Sequence, residues 1–437
     1  MRMIETFTQD QNGGSWLEPS TLTTNITYPH WLESWWMELA CQQSKQQDPH
    51  EMLRSFETEV RQLSDTFTTE RKEGFDAYQQ QTSMLLAYGL FYFPQTFARV
   101  RYPLLELLAH RKWSPPLERP LRILDLGAGL GAASISFAHL FASHPTLQEI
   151  EITALDSSRQ SLQYFRKLTK EQSAQWPNVS WDIRNADLRK TESWLPTSSP
   201  HWDLIIASFS LNEAFYGALD EQIKWTELVL TRALQKTGVF LILDPASQEK
   251  THRFEQYRDH FADHARYHVW SPCLHEHPCP LRQEGKRQCH EVRQWEPPDS
   301  MTFLNRRLFR HITSLKYSFL ALGKQPAPAF SQPEGQALFR MIAPLQNNKA
   351  HAQMTGCCTD GCKREFEWLK RCLDKPTQKQ LVQLERGDIV HVTSLQEMSR
   401  DGYVRLQKDS SCTVVHPTPL VLKGKNADSA QSPDDAS

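Results

Sequence analysis

The sequence predicts an α/β fold, with a Rossmann-like, mostly parallel sheet preceded by an N-terminal helical domain and followed by a small C-terminal β-rich module. Three observations carry this. Between residues 119 and 324 the apolar runs LRILDLGAG, EIEITALD, VSWDIRNADL, WDLIIASFSLNE and GVFLILDPAS alternate with helix-like segments, the rhythm of a parallel sheet with crossover helices. Upstream, residues 30–118 repeat apolar positions at helical spacing, as in MLRSFETEVRQLSDTF and SMLLAYGLFYFPQTFARVRYPLLELLAH. From 335 to 423 the pattern turns to short strands such as GDIVHVTSL and GYVRLQ. Residues 1–29 read as a mobile start, and the polar 424–437 tail lacks the apolar content to order itself.

Composition narrows the function classes. A chain of 437 residues with 39% hydrophobic content buries a core too large for one ordinary domain. A formal net charge of −2 excludes a globally basic nucleic-acid binder, so any RNA contact is regional. No apolar run is long enough to cross a bilayer, and MRMIETFTQDQNGG has neither a signal-peptide core nor an Arg-rich transit character. The expectation is a soluble protein of the bacterial cytoplasm, with the mitochondrial matrix as the alternative. Nine cysteines, odd in number and mostly clustered in two places, fit reduced thiols or metal ligands better than a disulfide framework.

Each strand of the α/β region then places chemistry at one edge. In LRILDLGAGLGAASISFAHLF the first strand reaches Asp125, and Gly127, Gly129 and Gly131 form a turn that opens a helix. Such a turn lets the backbone approach a nucleotide-like ligand, and the helix start presents free N–H groups. GAGLGA also satisfies the dinucleotide pattern, so the glycines alone do not choose between cofactors. The stretch resembles motif I of the class I methyltransferases, which implies S-adenosylmethionine. By that resemblance Asp125 helps hold the methionine end, Asp156 meets the ribose hydroxyls and Asp187 lies near the adenine. Ser208, closing the fourth strand, is a further cofactor-binding candidate. Just beyond it, Asn212 and Glu213 either approach the transferred methyl or cap the next helix. The Asn/Asp-Pro-Pro-aromatic signature of base-amine methylation is missing, and no general base is assigned. A sulfonium already carries an activated methyl, so the protein needs mainly to align the groups and exclude water.

The stretch SPCLHEHPCPLRQEGKRQC sets Cys273, Cys279 and Cys289 on a polar, proline-containing loop, an insertion at 271–300 between the sixth and seventh strands. Their spacing matches neither the short knuckles of structural zinc sites nor a compact ferredoxin run. A fourth ligand comes from Cys357, Cys358 or Cys362 in GCCTDGC, or from His275, His277 or His290. Thiolates suit both zinc and iron–sulfur sites, so ligand type leaves the metal open.

SPCLHEHPCPL with Cys289-His290, KYSFLALGK and CCTDG, together with AYGLFYFPQTFARVRYPLLELL, LDLGAGLGAAS, SFSLNE and LILDPAS, resemble the ribosomal small-subunit methyltransferase-like family, which has bacterial and mitochondrial members. The resemblance implies a partner, the small ribosomal subunit and its rRNA, and a protein that is monomeric off the ribosome. It also implies a [4Fe–4S] cluster on Cys273, Cys279, Cys289 and Cys357, with zinc as the alternative. Arg386 stands where the family pattern has the Trp of a terminal WGD, which puts RNA contact from that strand in doubt. A basic stretch of Arg282, Lys286, Arg287, Arg293, Arg306, Arg307, Arg310 and Lys316, with Trp295 and Phe309 available to stack, is the candidate rRNA face. The readings are an rRNA methyltransferase, a catalytically inactive assembly factor on the same fold, or, more distantly, an NAD-dependent oxidoreductase.

Overall fold

The computed structural model describes residues 26–68, 81–111, 113–142, 147–197, 201–285, 288–310, 312–328, 336–382, 384, 386–393, 403–406, 410 and 412–416. The expected mobile start up to residue 25, the 424–437 tail, and Lys286 and Arg287 lie outside them. Helices α1 (His30–Ser44), α2 (Pro49–Ser55), α3 (Glu57–Thr68) and the long α4 (Thr82–His110) come first. Next are β1 (Leu121–Leu126), α5 (Ala132–Phe141), β2 (Ile150–Asp156), α6 (Arg159–Glu171), β3 (Val179–Asn185), β4 (Trp202–Ser208), α7 (Leu211–Ala214), α8 (Leu219–Arg232) and β5 (Leu234–Asp244). After α9 (Gln248–Ala262) and β6 (His268–Ser271), the chain forms α10 (Pro280–Glu284), β7 (Glu291–Gln294), α11 (Asp299–Arg307) and β8 (Ser314–Gly323).

The first sheet runs β3-β2-β1-β4-β5-β8-β6, with β7 added beside β8. Strands β1 to β5 are parallel, whereas β8 runs antiparallel to β5 and β6 antiparallel to β8. This is the class I methyltransferase arrangement. The reversed β8 stands where a dinucleotide fold continues with parallel strands, which disfavours the oxidoreductase reading. The central strands β1, β4 and the second half of β5 are largely apolar because both faces are covered, whereas the edge strand β3 has no buried residue. Leu204 and Ile206 join one core, with Val239, Leu241 and Leu243; Ile205, Ala207, Phe240 and Ile242 join the other.

The N-terminal helices are continuous with the first of these cores: Leu32, Trp36, Phe91, Phe93 and Phe97 pack in the same cluster as Ile123 and Ile152. A side chain at Gly89 of α4 would strike the Trp36 ring at 2.3 Å, so close helix packing requires glycine there. Polar ties fix the docking. Trp35 Nε1 donates to Glu171 Oε2 at 2.8 Å, Arg101 Nη2 to the Ser136 carbonyl at 2.9 Å, and Tyr102 Oη to the Gln294 carbonyl at 2.8 Å.

The C-terminal part consists of β9 (Ala337–Met341), β10 (Gln346–Asn347), β11 (His351–Cys358), β12 (Lys363–Leu369), α12 (Lys375–Leu381), β13 (Ile389–Val392), β14 (Tyr403–Leu406) and β15 (Cys412–His416). Its sheet runs β14-β12-β11-β9-β13-β15, with β10 beside β11, around a separate core that includes Phe339, Met354, Phe366 and Trp368. Among the described residues no helix is long and apolar enough to cross a membrane.

Candidate functional site

Strands β1 and β4 are neighbours whose connections leave on opposite sides, and ligands of open α/β sheets bind at such a switch point, beyond the strand C-termini. The glycine turn sits there. Gly127 N and Ala128 N both donate to the Leu155 carbonyl, at 2.8 and 2.9 Å, pinning the turn to β2. All three glycines have positive φ, at +80°, +54° and +89°. A side chain at Gly127 would strike Ser210, and one at Gly131 would strike the Phe165 ring, whereas Gly129 faces open space. Two glycines thus serve packing, and the third leaves the mouth of the turn clear.

The acids gather around this turn. Asp125 Oδ2 accepts from Ser134 N at 3.1 Å and Ser134 Oγ at 2.6 Å, while Oδ1 is buried with no partner among the described residues. Burial pushes its carboxyl up to about 7, against the two Ser134 bonds. Asp156 accepts from Gly129 N at 2.8 Å and Ser158 N at 2.7 Å, and burial raises it too. Each Asp156 oxygen keeps a second acceptor site for a ligand hydroxyl. Asp187 follows β3 and accepts from Arg189 N at 3.0 Å. Partial burial opposes its ionisation, but the bonds and charge of Arg189 hold it below the ordinary carboxylate range.

On the β4 and β5 side the buried oxygens Ser208 Oγ, Asn212 Oδ1 and Asp244 Oδ1 make no hydrogen bond among the described residues. Buried polar atoms are ordinarily paired, so an orphaned set at the C-terminal ends of β4 and β5 fits a ligand. No side-chain bond caps α7 or α8, so Asn212 does not serve as the helix cap weighed from sequence. Sequence reasoning passed over Asp244. Burial raises it to about 7, against the opposing charges of Arg253 and Lys250. The available signal was its position: like Asp156, it is the last residue of an apolar strand run.

The thiols form a second site, built by α9. Glu255, Arg258 and Asp259 share one helix face, at i, i+3 and i+4. Glu255 Oε1 accepts from Cys289 N at 2.8 Å and Asp259 Oδ1 from Cys279 N at 2.9 Å. Arg258 donates to the carbonyls of His277 and His275 at 2.5 and 2.6 Å. The C-terminal sheet supplies the fourth sulfur. Successive residues of a strand face opposite ways, and on β11 Cys357 turns toward Cys279 and Cys289 while Cys358 enters the C-terminal core. Cys273, Cys279, Cys289 and Cys357 all interact electrostatically with one another. Burial drives the Cys279 thiol up to about 12 and those of Cys289 and Cys357 well above their ordinary value. Cys273, Cys279 and Cys289 line a cavity of about 30 Å³, and His275 Nε2 lies 3.3 Å from Cys357 Sγ.

The spacing of the sulfurs bears on what they could hold. A zinc ion with Zn–S near 2.3 Å brings its ligand sulfurs to about 3.8 Å from one another. Among the described residues no three of these sulfurs lie within 4.8 Å of each other.

Part of the expected RNA face needs correction. Arg293 is buried and ion-paired with Glu291, because the two alternate residues share one face of β7. Trp295 is buried in the core. Neither can meet RNA. Arg282, Arg306, Arg307, Phe309 and Lys316 are exposed. Arg386 turns inward, its Nη2 donating to the Gln288 carbonyl at 3.2 Å beside the thiols.

Comparison with solved structures finds loose likenesses. Precorrin-6y C5,15-methyltransferase from Geobacter metallireducens is 17% identical, with 60% of this chain and 95% of that one covered, at a TM-score of 0.29. Magnesium protoporphyrin IX methyltransferase from Synechocystis PCC 6803 is 11% identical, with coverages of 61% and 97% and a TM-score of 0.33. WbdD is 17% identical at a TM-score of 0.29 over 60% of this chain, which spans 45% of WbdD's length. No curated protein matches the sequence. The fold assignment rests on the strand order itself. The family model described as mitochondrial small ribosomal subunit Rsm22 matches residues 82–389, a span that takes in the helix α4, the glycine turn and all four gathered cysteines, and the chain therefore belongs to the Rsm22 family.

Proposed function

We propose that this protein binds S-adenosylmethionine at the glycine turn and acts on the small ribosomal subunit, methylating its rRNA. The observation that carries this reading is the open turn at Gly129, with the unpartnered oxygens of Asp125, Ser208, Asn212 and Asp244 around the same sheet edge. Asp125 would hold the methionine end, Asp156 the ribose and Asp187 the adenine side. The cofactor supplies an activated methyl, and the chain's own work is to bind, orient and exclude water. We further propose that Cys273, Cys279, Cys289 and Cys357 hold a structural [4Fe–4S] cluster; the support is that the fold draws these four thiols, from separate segments, toward one another. The family name supports the ribosomal partner and favours the mitochondrial matrix over the bacterial cytoplasm.

Tritiated S-adenosylmethionine with purified small-subunit particles tests the activity. Label in rRNA is the expected result; tight binding of cofactor and particle without label would instead make the protein an assembly factor.

Cofactor affinity should depend on pH. Asp125 and Asp244 both titrate at about 7, and their ionised forms attract the cationic cofactor. Affinity is expected to rise up to about tenfold between about pH 6 and pH 8, read by calorimetry. In the free protein the same raised carboxyls cost stability increasingly as pH rises from about 4, levelling above about 7. A flat affinity profile would show that neither carboxyl faces the ligand.

A further inference from the structure

Helix α11 ends in a Schellman motif with an unusual residue at its left-handed position. Phe309 N donates to the Arg306 carbonyl at 3.3 Å and Arg310 N to the Asn305 carbonyl at 2.8 Å, the paired bonds of that cap. The residue between Leu308 and Arg310 must then take a positive φ, and Phe309 has φ +53°. Glycine is the usual occupant, because a side chain there is strained. Phe309 is also 91% exposed, far more than any other large exposed hydrophobic among the described residues. Neither folding nor solvation favours an aromatic ring at this point, and strain retained on a surface is a mark of function.

The surroundings identify the kind of partner. Arg306 and Lys316 are exposed. Arg307 Nε binds Glu57 Oε1 at 2.7 Å, and Arg310 is tethered to Ser64 Oγ of α3. The ring is thus presented on a corner between α3 and α11, with Arg306, Arg307 and Arg310 as its neighbours in the chain. An aromatic face among cations is how proteins hold unpaired bases along a phosphate backbone.

We propose that Phe309 is a stacking platform for an unpaired base of the small-subunit rRNA, with Arg306 and Lys316 engaging the adjoining phosphates. This rests on the ribosomal reading above and specifies its contact point.

The test is Phe309→Gly, which removes the ring and relieves the strain together. The thermal midpoint is expected to rise by roughly 1–2 °C, while affinity for small-subunit rRNA falls roughly 5- to 150-fold, as for loss of one stacked base. Phe309→Trp should retain binding. Phe309→Gly protein that binds rRNA as well as the wild type does overturns this inference alone. Wild-type protein that binds neither rRNA nor the particle overturns the ribosomal reading and this inference with it. A loss confined to intact particles, with naked rRNA bound normally, would assign the ring to a ribosomal protein and overturn the RNA contact.

Discussion

Arg340→Met is expected to destabilise the protein by about 3–5 kcal/mol, the usual cost of stranding a buried charge. Arg340 lies on β9 of the C-terminal sheet, yet its side chain is buried against the rest of the molecule. It pairs with Glu106 of α4 through both guanidinium nitrogens, reaches Glu291 of β7 at 3.9 Å, and donates to the carbonyls of Pro272 at 2.7 Å and Gly387 at 3.0 Å. Ser271 Oγ also bonds Glu106. Burial opposes ionisation of Glu106, but the charge and bonds of Arg340 hold its carboxyl below the ordinary range. The substitution leaves Glu106 without its main counter-charge, beside a loop that also loses its tie at Pro272. Differential scanning calorimetry and limited proteolysis between the two sheets read the effect. The double variant Arg340→Met with Glu106→Leu should recover much of the loss, since replacing a whole buried pair by apolar groups is often neutral. No recovery would show that Glu106 is not the partner that matters.

On the proposed cluster reading, Cys289→Ser is expected to lower iron content at least about tenfold after anaerobic purification, since even changes behind a metal ligand cost that much. The four cysteines come from the loop after β6, the start of α10, the segment before β7, and β11 of the second sheet. A bound centre would tie the 271–300 insertion to the C-terminal sheet, so its loss should also loosen both to proteolysis. Cys358→Ala is the discriminating control. Cys358 packs among Phe339, Met354 and Phe366, so this variant should lose some stability while keeping its iron per folded chain. Iron lost equally in both variants would reject Cys357 as the ligand.

Much of this was legible in the sequence because both faces of the main sheet are buried. That made the central strands stand out as apolar runs, and position along them, with the resemblance, singled out Asp125, Asp156 and Asp187. The choice of Cys357 over Cys358 came from the resemblance alone; that the two face opposite ways on β11 needed the strand itself. What escaped the sequence depends on long-range pairing. Arg293 looked like a solvated cation because its inward neighbours, Glu291 on the same strand and the Arg386 carbonyl that accepts from it at 2.7 Å, are brought together only by the fold. Trp295 likewise gave no sign that it would enter the core. The helical segment read as its own domain, since helical periodicity reveals a buried face and not what covers it; here the sheet does. Asp244 was missed because no motif marks it.

The most direct test of the central claim is a calorimetric titration of the purified protein with S-adenosylmethionine and, separately, with NAD. The account predicts one S-adenosylmethionine per chain with a dissociation constant on the order of micromolar, and no measurable heat from NAD. Preferential binding of NAD, or a glycine turn that takes up neither molecule, would contradict it.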